Sequence, residues 1–98
     1  MAWDSETELI FILIIMKGDI IKVEKPGFVV IGIEDKIEEN RDVWFSAYIY
    51  LDHLYIQKGV TRTTVVQITE EERNYFKYKL LEKGYTYDEE TKELIYEI

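Results

Sequence analysis

The stretch DVWFSAYIYLD, residues 42–52, alternates between two classes of side chain. Its odd positions are apolar: Val43, Phe45, Ala47, Ile49 and Leu51. Its even positions are polar, or aromatic with a polar group: Trp44, Ser46, Tyr48 and Tyr50. Because successive side chains of a strand point to opposite faces, this alternation predicts a β-strand with one buried face and one partly wet face. We interpret it as the central strand of a sheet.

Short apolar segments separated by turn residues flank this strand. They predict further strands at 20–24, 28–33, 54–57 and 61–68. The strands before the central one are joined by turns too short for crossover helices, so we expect an antiparallel meander. Gly32 lies inside a predicted strand, which indicates a bulge or a close approach of another backbone. The charged segment 34–41 predicts a loop or one helical turn, and His53 is predicted in a turn.

An uninterrupted apolar run, Leu9–Met16, precedes these segments. A membrane-spanning helix needs roughly 20 apolar residues, so this run is far too short to be one. It predicts a β-strand that is buried on both faces, or that is buried on one face and contacts a partner with the other. The polar residues 1–8 before it form an N-terminal segment that can be loosely ordered.

A helix is predicted from about residue 70 to residue 83. The segment Thr69–Glu72 has the pattern of a capping box, and Gly84 supplies a left-handed stop. The apolar residues of this helix lie on two opposite sides: Phe76 and Leu80 on one, and Tyr75, Tyr78 and Leu81 on the other. Such a helix is either covered on both sides or presents its tyrosines to a surface. A terminal hairpin with strands at 85–87 and 93–98 follows it.

These elements predict an α+β class, as one β-rich domain spanning 1–98. We expect five to seven antiparallel strands in a bent sheet or small barrel, with one C-terminal helix and a terminal hairpin. The net charge is −8, from 20 Asp and Glu against 12 Lys and Arg, so direct nucleic-acid binding is disfavoured. The absence of cysteine fits a reducing, cytoplasmic interior of a host cell. Few Asn and Gln beside many Glu, Lys and Ile favour a thermophilic source.

No pattern in the sequence points to catalysis, a metal or a cofactor. His53 is the single histidine, and no cysteine accompanies it to complete a metal site. The two serines, Ser5 and Ser46, lack the Gly-x-Ser-x-Gly context of a hydrolase nucleophile. The carboxylates at 88–90 do not have the spacing of an EF-hand loop, and solvation of the hairpin turn explains them better. We therefore expect a protein that is not an enzyme, without cofactor and without a membrane role.

The C-terminal third combines a TEEE cap at 69–72, a helix stop at Gly84 and a Gly-Tyr-x-x-Asp hairpin at 84–88. Together with the earlier turn Lys17–Asp19, this arrangement resembles short accessory proteins encoded by phages and other viruses. The resemblance covers the C-terminal third well and the rest of the chain loosely. It implies a viral or mobile-element origin and a partner-binding role, and it carries over no catalytic residue.

Two surfaces are candidates for binding a partner. The first is the wet face of the central strand with a neighbour on the next strand: Trp44, Tyr48, Tyr50 and Tyr55. Aromatic residues with polar tips are enriched at interface hot spots, although the helix or the hairpin could equally cover them. The second is an acidic surface: Glu34, Asp35, Glu38, Glu39 and Asp42.

The two surfaces correspond to two predicted functions. The first is a protein-binding accessory protein that acts through self-association, as a homodimer, or by binding a host protein. The alternative is an acidic mimic of nucleic acid that inhibits a host defence or DNA-binding protein. Salt distinguishes them, because ions screen charge mimicry and leave aromatic contacts almost unchanged.

Overall fold

A computed structural model describes residues 16–97 as an antiparallel sheet, one helix and a separate hairpin. The strands of the sheet are β1 (Ile20–Lys25), β2 (Phe28–Ile37), β3 (Val43–Tyr50), β4 (His53–Val60) and β5 (Thr64–Val66). The helix is α1 (Glu70–Glu82), and the hairpin strands are β6 (Tyr85–Asp88) and β7 (Glu93–Tyr96). The predicted N-terminal segment 1–8 and the predicted strand at 9–16, apart from Met16, lie outside the described residues.

The five-stranded sheet has the order β4-β3-β2-β1-β5, and every pair in it is antiparallel. The link 61–63 joins β4 and β5, although these strands form the two opposite edges of the sheet. The backbone N–H of Thr63 in this link donates to the carbonyl of Arg41 at 3.0 Å, which holds the link against the β2–β3 loop. So short a link between the edges requires a strongly bent sheet, as predicted. The middle strand is β2, so β3 is an interior strand but not the central one.

Each face of the sheet carries its own apolar cluster. The first cluster is enclosed by the bend of the sheet: Ile21, Val23, Val30, Val43, Phe45, Tyr48, Val60 and Val65. The second cluster forms where α1 covers the other face: Ile20, Ile33, Ala47 and Ile49 with Phe76 and Leu80. Burial of a large aliphatic or aromatic side chain contributes about 1.5–3 kcal/mol, so these clusters supply most of the stabilising free energy.

The strand ladder is interrupted at one level across three neighbouring strands. The pairing of β2 with β3 shifts on both sides of Glu34, so that Asp35 and Ser46 have no partner residue in it. In β4, Gln57 opposite Ser46 has a positive φ of 50°. An extra residue in a strand reverses which face the following side chains occupy. This is why Val43 and Phe45 join the first cluster and Ala47 joins the second.

The alternation in β3 therefore predicts correctly which residues are buried, but the buried residues do not all lie on one face of the sheet. The odd residues from Val43 to Ile49 are buried, but they divide between the two clusters. The prediction that Leu51 lies on the buried face is wrong, because this residue is 74% exposed. It lies with Asp52 in a two-residue turn where both have positive φ, 50° and 64°, which is the geometry of tight β-hairpin turns.

Three strand boundaries also differ from the prediction. β2 continues to Ile37, because the residues predicted as a loop from Glu34 onward pair with β3 instead. β4 is longer than predicted and begins at His53, which pairs with Tyr50 rather than lying in the turn. β5 is only three residues long, since the preceding residues form the link between the edges.

The helix begins and ends where the local signals predict. The amide of Glu72 donates to Thr69 Oγ1 at 3.1 Å, and the amide of Thr69 donates to Glu72 Oε1 at 2.9 Å. The second oxygen of Glu72 lies 2.6 Å from Lys22 Nζ on β1, so the cap also fixes the helix to the sheet. Gly84 follows the helix with a φ of 87°.

The terminal hairpin forms a sheet of its own and packs on the second cluster through Tyr85, Tyr87 and Leu94. Its turn carries Glu89, which lies 2.9 Å from Lys77 Nζ and 3.4 Å from Arg73 on α1. The hairpin is therefore attached to the helix as well as to the sheet.

Gly32 confirms the close backbone approach predicted for it, and it provides a test of the packing. A Cβ at Gly32 would lie 2.6 Å from the Ala47 carbonyl oxygen, from the Phe45 ring and from Tyr48 Cβ. Because a backbone atom and two core side chains would have to move, we expect Gly32→Ala to lower the free energy of unfolding by about 3 kcal/mol. Urea denaturation followed by circular dichroism measures this change.

Gly59→Ala is the matched control for that experiment. The three atoms nearest to its Cβ would all belong to the ring of Trp44, at 2.9–3.1 Å, and this side chain is partly exposed. Since a surface side chain can move aside, we expect a loss below about 1 kcal/mol. Equal losses in the two variants would contradict the role assigned to Gly32.

Candidate functional site

Three of the four predicted binding aromatics lie in or against the first cluster. Tyr48 is only 8% exposed, and its ring centroid lies 5.3 Å from that of Phe45 and 5.0 Å from that of Tyr55. Tyr50 lies 4.4 Å from Phe28, and both rings are half-buried against the same cluster. Burial raises the pKa of the Tyr48 hydroxyl above its ordinary value, and Tyr55 adds to the shift.

Trp44 is separated from these tyrosines by the interruption at Ser46. Its indole is 46% exposed, lies against Gly59 on β4, and donates from Nε1 to Glu38 Oε1 at 3.3 Å. The expectation that Trp44, Tyr48 and Tyr50 share one wet face is therefore wrong. Within residues 16–97, Tyr48 packs against residues of the sheet itself, and its cluster contains no residue of the helix or the hairpin.

The predicted acidic surface is also divided. The prediction that Glu34 belongs to an exposed acidic surface is wrong, because this residue is only 6% exposed. Asp35 is exposed and forms an ion pair with Lys17 at 3.0 Å, while Glu38 accepts the hydrogen bond from Trp44.

The remaining two predicted acids lie in the β2–β3 loop. Asp42 accepts from the amide of Arg62 through Oδ1 at 3.0 Å and from the side-chain amide of Asn40 through Oδ2 at 3.1 Å. Glu39 is exposed. Most of these acids thus serve local structure, and they do not form one continuous row of free charge.

The side of α1 that faces away from the sheet carries three large exposed side chains that are mainly apolar. We call it the outer helix face, and its exposed residues are Glu71, Asn74, Tyr75, Tyr78, Leu81 and Glu82. Tyr75 is 48% exposed, and Tyr78 and Leu81 are each 59% exposed. Residues three and four apart are neighbours on a helix, so these three side chains form one patch opposite the buried pair Phe76 and Leu80.

The turn between β3 and β4 extends this patch and fixes one side of it. The Tyr75 hydroxyl donates to Asp52 Oδ1 at 2.7 Å, and Lys79 Nζ lies 3.4 Å from the same oxygen. Lys79 also lies 5.6 Å from the centroid of the Tyr75 ring. The hydrogen bond from Tyr75, followed by the charge of Lys79, holds the pKa of the Asp52 carboxyl below its ordinary value. The neighbouring Leu51, at the tip of this turn, is itself exposed.

The geometry of the outer helix face suits contact rather than chemistry. Its centre is two phenol rings and one aliphatic side chain, with carboxylates at Glu71 and Glu82 toward its ends. Within residues 16–97, no group of three or more His, Cys, Asp or Glu is arranged to hold a metal ion. The described part of the chain also contains no helix that is long and apolar enough to cross a membrane.

A second, polar groove lies where the ladder is interrupted. It is lined by the side chains of Lys17, Asp35, Ser46 and Gln57, with Trp44 at its edge. Because Lys17 and Asp35 are paired with each other, this groove presents little net charge.

The outer helix face was visible in the sequence only as one of two alternatives. The pattern 75, 78, 81 showed a second apolar side on the helix, but no local signal says whether another element covers that side. No sequence pattern predicted that Leu51 is exposed beside this face, because the strand alternation placed Leu51 on the buried face. Comparison of the chain with protein-family models, with curated proteins and with solved structures gives no match.

Because Tyr48 is buried and Trp44 is half exposed, we expect truncation of these two side chains to lower the free energy of unfolding by different amounts. We expect Tyr48→Ala to lower the free energy of unfolding by about 3 kcal/mol, because it leaves a cavity between Phe45 and Tyr55. We expect Trp44→Ala to cost about 1 kcal/mol, since nearly half of the indole is already in contact with water. Urea denaturation of both variants at the same pH measures the difference, and equal losses would contradict the division described above.

Proposed function

We propose that this chain is a non-enzymatic protein-binding protein, and that its contact surface is the outer helix face. The observation that carries the proposal is the exposure of Tyr75, Tyr78 and Leu81 on a helix whose opposite side is fully buried. Leaving three large side chains half in water gains nothing for folding, and contiguous apolar surface of this kind marks interaction sites. Tyrosine is also among the residues enriched at the hot spots of interfaces.

The size of the patch sets the strength of binding to expect. An aromatic side chain buries about 150–250 Å² when it is fully covered, so exposures of 48–59% leave roughly 300 Å² of new burial on these three residues. With Leu51 and the polar rim included, the surface approaches the lower end of the areas found in specific complexes, which is roughly 600 Å² per partner. This supports a partner of moderate affinity.

The charges around the patch favour a partner that is apolar and basic. Glu71 and Glu82 lie on the outer helix face, where Glu82 is paired with Lys79 at 3.1 Å, and the whole chain carries a net charge of −8. Pairing two copies through this face brings together two molecules that each carry this negative net charge, and it places Glu71 against Glu71 when the helices are parallel. We therefore propose a different protein, with an apolar surface edged by Lys or Arg, as the occupant.

Other predictions from the sequence have less support. The homodimer, the viral or mobile-element origin, the thermophilic source and the cytoplasmic location all stay predictions. Mimicry of nucleic acid is less favoured, because Glu34 is buried and Asp35, Glu38 and Asp42 are engaged in local bonds. Such mimicry requires a regular row of accessible charges.

The test is a comparison of partners captured by the native chain and by Tyr78→Lys, from extracts of the cells that produce the protein. A lysine at the centre of the patch places a cation against a basic, apolar partner. We expect it to weaken binding of the captured partner by about 2 kcal/mol, or roughly 30-fold in Kd, as for a hot-spot residue. Titration calorimetry with the purified partner measures the change.

Trp44→Lys is the matched control, because it places the same charge on another exposed aromatic residue, away from α1. We expect this variant to keep the affinity of the native chain. A partner that binds native protein and Tyr78→Lys equally, or that is lost only with Trp44→Lys, would contradict the proposal. Light scattering on the three proteins shows separately whether the chain pairs with itself.

A further inference from the structure

The N-terminal turn, Met16–Asp19, is bonded to the sheet on one side. The amide of Gly18 donates to the carbonyl of Glu34 at 2.7 Å, and the amide of Glu34 donates to the carbonyl of Asp19 at 2.8 Å. These two hydrogen bonds fix the turn onto β2 at the level where the ladder is interrupted. The side chain of Glu34 is 6% exposed, and Asp19 and Lys17 of the turn are among the charged groups near it.

The same turn is bonded to the terminal hairpin on its other side. The Tyr87 hydroxyl donates to the carbonyl of Gly18 at 2.6 Å, and Lys92 Nζ donates to Asp19 Oδ1 at 2.6 Å. A Cβ at Gly18 would lie 2.6 Å from Lys92 Cβ, so the two segments are in direct contact. The N-terminal turn therefore connects the sheet to the hairpin.

The surroundings of Glu34 disfavour the ionised form of its carboxyl group. Its Oε2 is buried and has no hydrogen-bond partner among residues 16–97. Among residues 16–97, the charged groups around it are Asp35 beside it on β2, and Asp19 and Lys17 on the turn. Lys92 of the hairpin is bonded to Asp19. Lys17 is already paired with Asp35, and Asp19 with Lys92. An unpaired buried carboxylate loses its hydration without recovering it, and this favours the neutral form.

We propose that Glu34 makes the attachment of the N-terminal turn, and of the hairpin bonded to it, depend on pH. When Glu34 is neutral, the turn stays bonded to β2 and holds Tyr87 and Lys92. When Glu34 ionises, its unpaired oxygen gains hydration only if the turn lifts from β2. The turn then opens more often, and its two contacts to the hairpin break with it.

The direction of the pH effect follows from linkage. Burial, then the charges of Asp35 and Asp19, raises the pKa of Glu34 above the value of 4.5 that it has in an unfolded chain. Between 4.5 and the raised pKa, the closed state binds more protons than the open state. The stability of the closed state is therefore highest below 4.5, falls as pH rises through this window, and stays lower above the raised pKa.

Hydrogen exchange measured by NMR on the native chain and on Glu34→Gln tests this inference. We expect the protection of the Gly18 amide, corrected for intrinsic exchange, to fall as pH rises above 4.5 in the native chain and to stay level in Glu34→Gln. Glu39→Gln, which removes an exposed carboxylate, should behave as the native chain does. The same fall in Glu34→Gln would overturn the inference.

Two further measurements keep the test decisive. The amide of Val23, at the fully buried centre of β1, reports unfolding of the whole domain, and an equal fall at Val23 and Gly18 would overturn a local opening. If Glu34→Gln does not fold, the carbon resonance of the Glu34 carboxyl in the native chain is titrated instead. We expect it to titrate in step with the Gly18 amide shift and above pH 4.5, and a titration at or below that value would reject the proposal.

Discussion

The interruption of the ladder at Asp35, Ser46 and Gln57 is the constraint on which the rest of the structure depends. It reverses the faces of β3 partway along the strand, so that one short sheet buries apolar residues on both sides. The bend encloses one cluster and leaves the other to be covered by α1 and the hairpin. A regular sheet of the same strands would place Val43, Phe45, Ala47 and Ile49 on one face, and the enclosed cluster would lose two of its members.

The sequence predicts those elements whose causes are local. The cap at Thr69, the stop at Gly84 and the close approach at Gly32 each depend on a few neighbouring residues, and the structure confirms all three. The bent antiparallel sheet also follows, because its turns are short. The extension of β2 does not follow, since residues 34–37 are charged and become a strand only by pairing with β3. Contacts between distant segments override local preference there.

The candidate site was harder to predict than the fold, for a related reason. Alternation predicts which odd residues of β3 are buried. The face of the sheet on which Tyr48 lies depends on a β-bulge, and no residue type in the sequence predicts that bulge. The buried state of Glu34 is equally invisible, because an acid in a charged segment normally lies in water. The exposure of Tyr78 could be stated only as an alternative, since it depends on whether another element covers α1.

The hairpin brings the pH-dependent turn and the outer helix face into one connected structure. It is bonded to the N-terminal turn at one point, and its Glu89 is paired with Arg73 and Lys77 on α1. The ion pairs to α1 do not involve the turn, and neither does the packing of Tyr85 and Leu94 on the second cluster. The hairpin therefore stays attached to the helix and to the sheet when the turn opens, and this makes the proposed opening a local one.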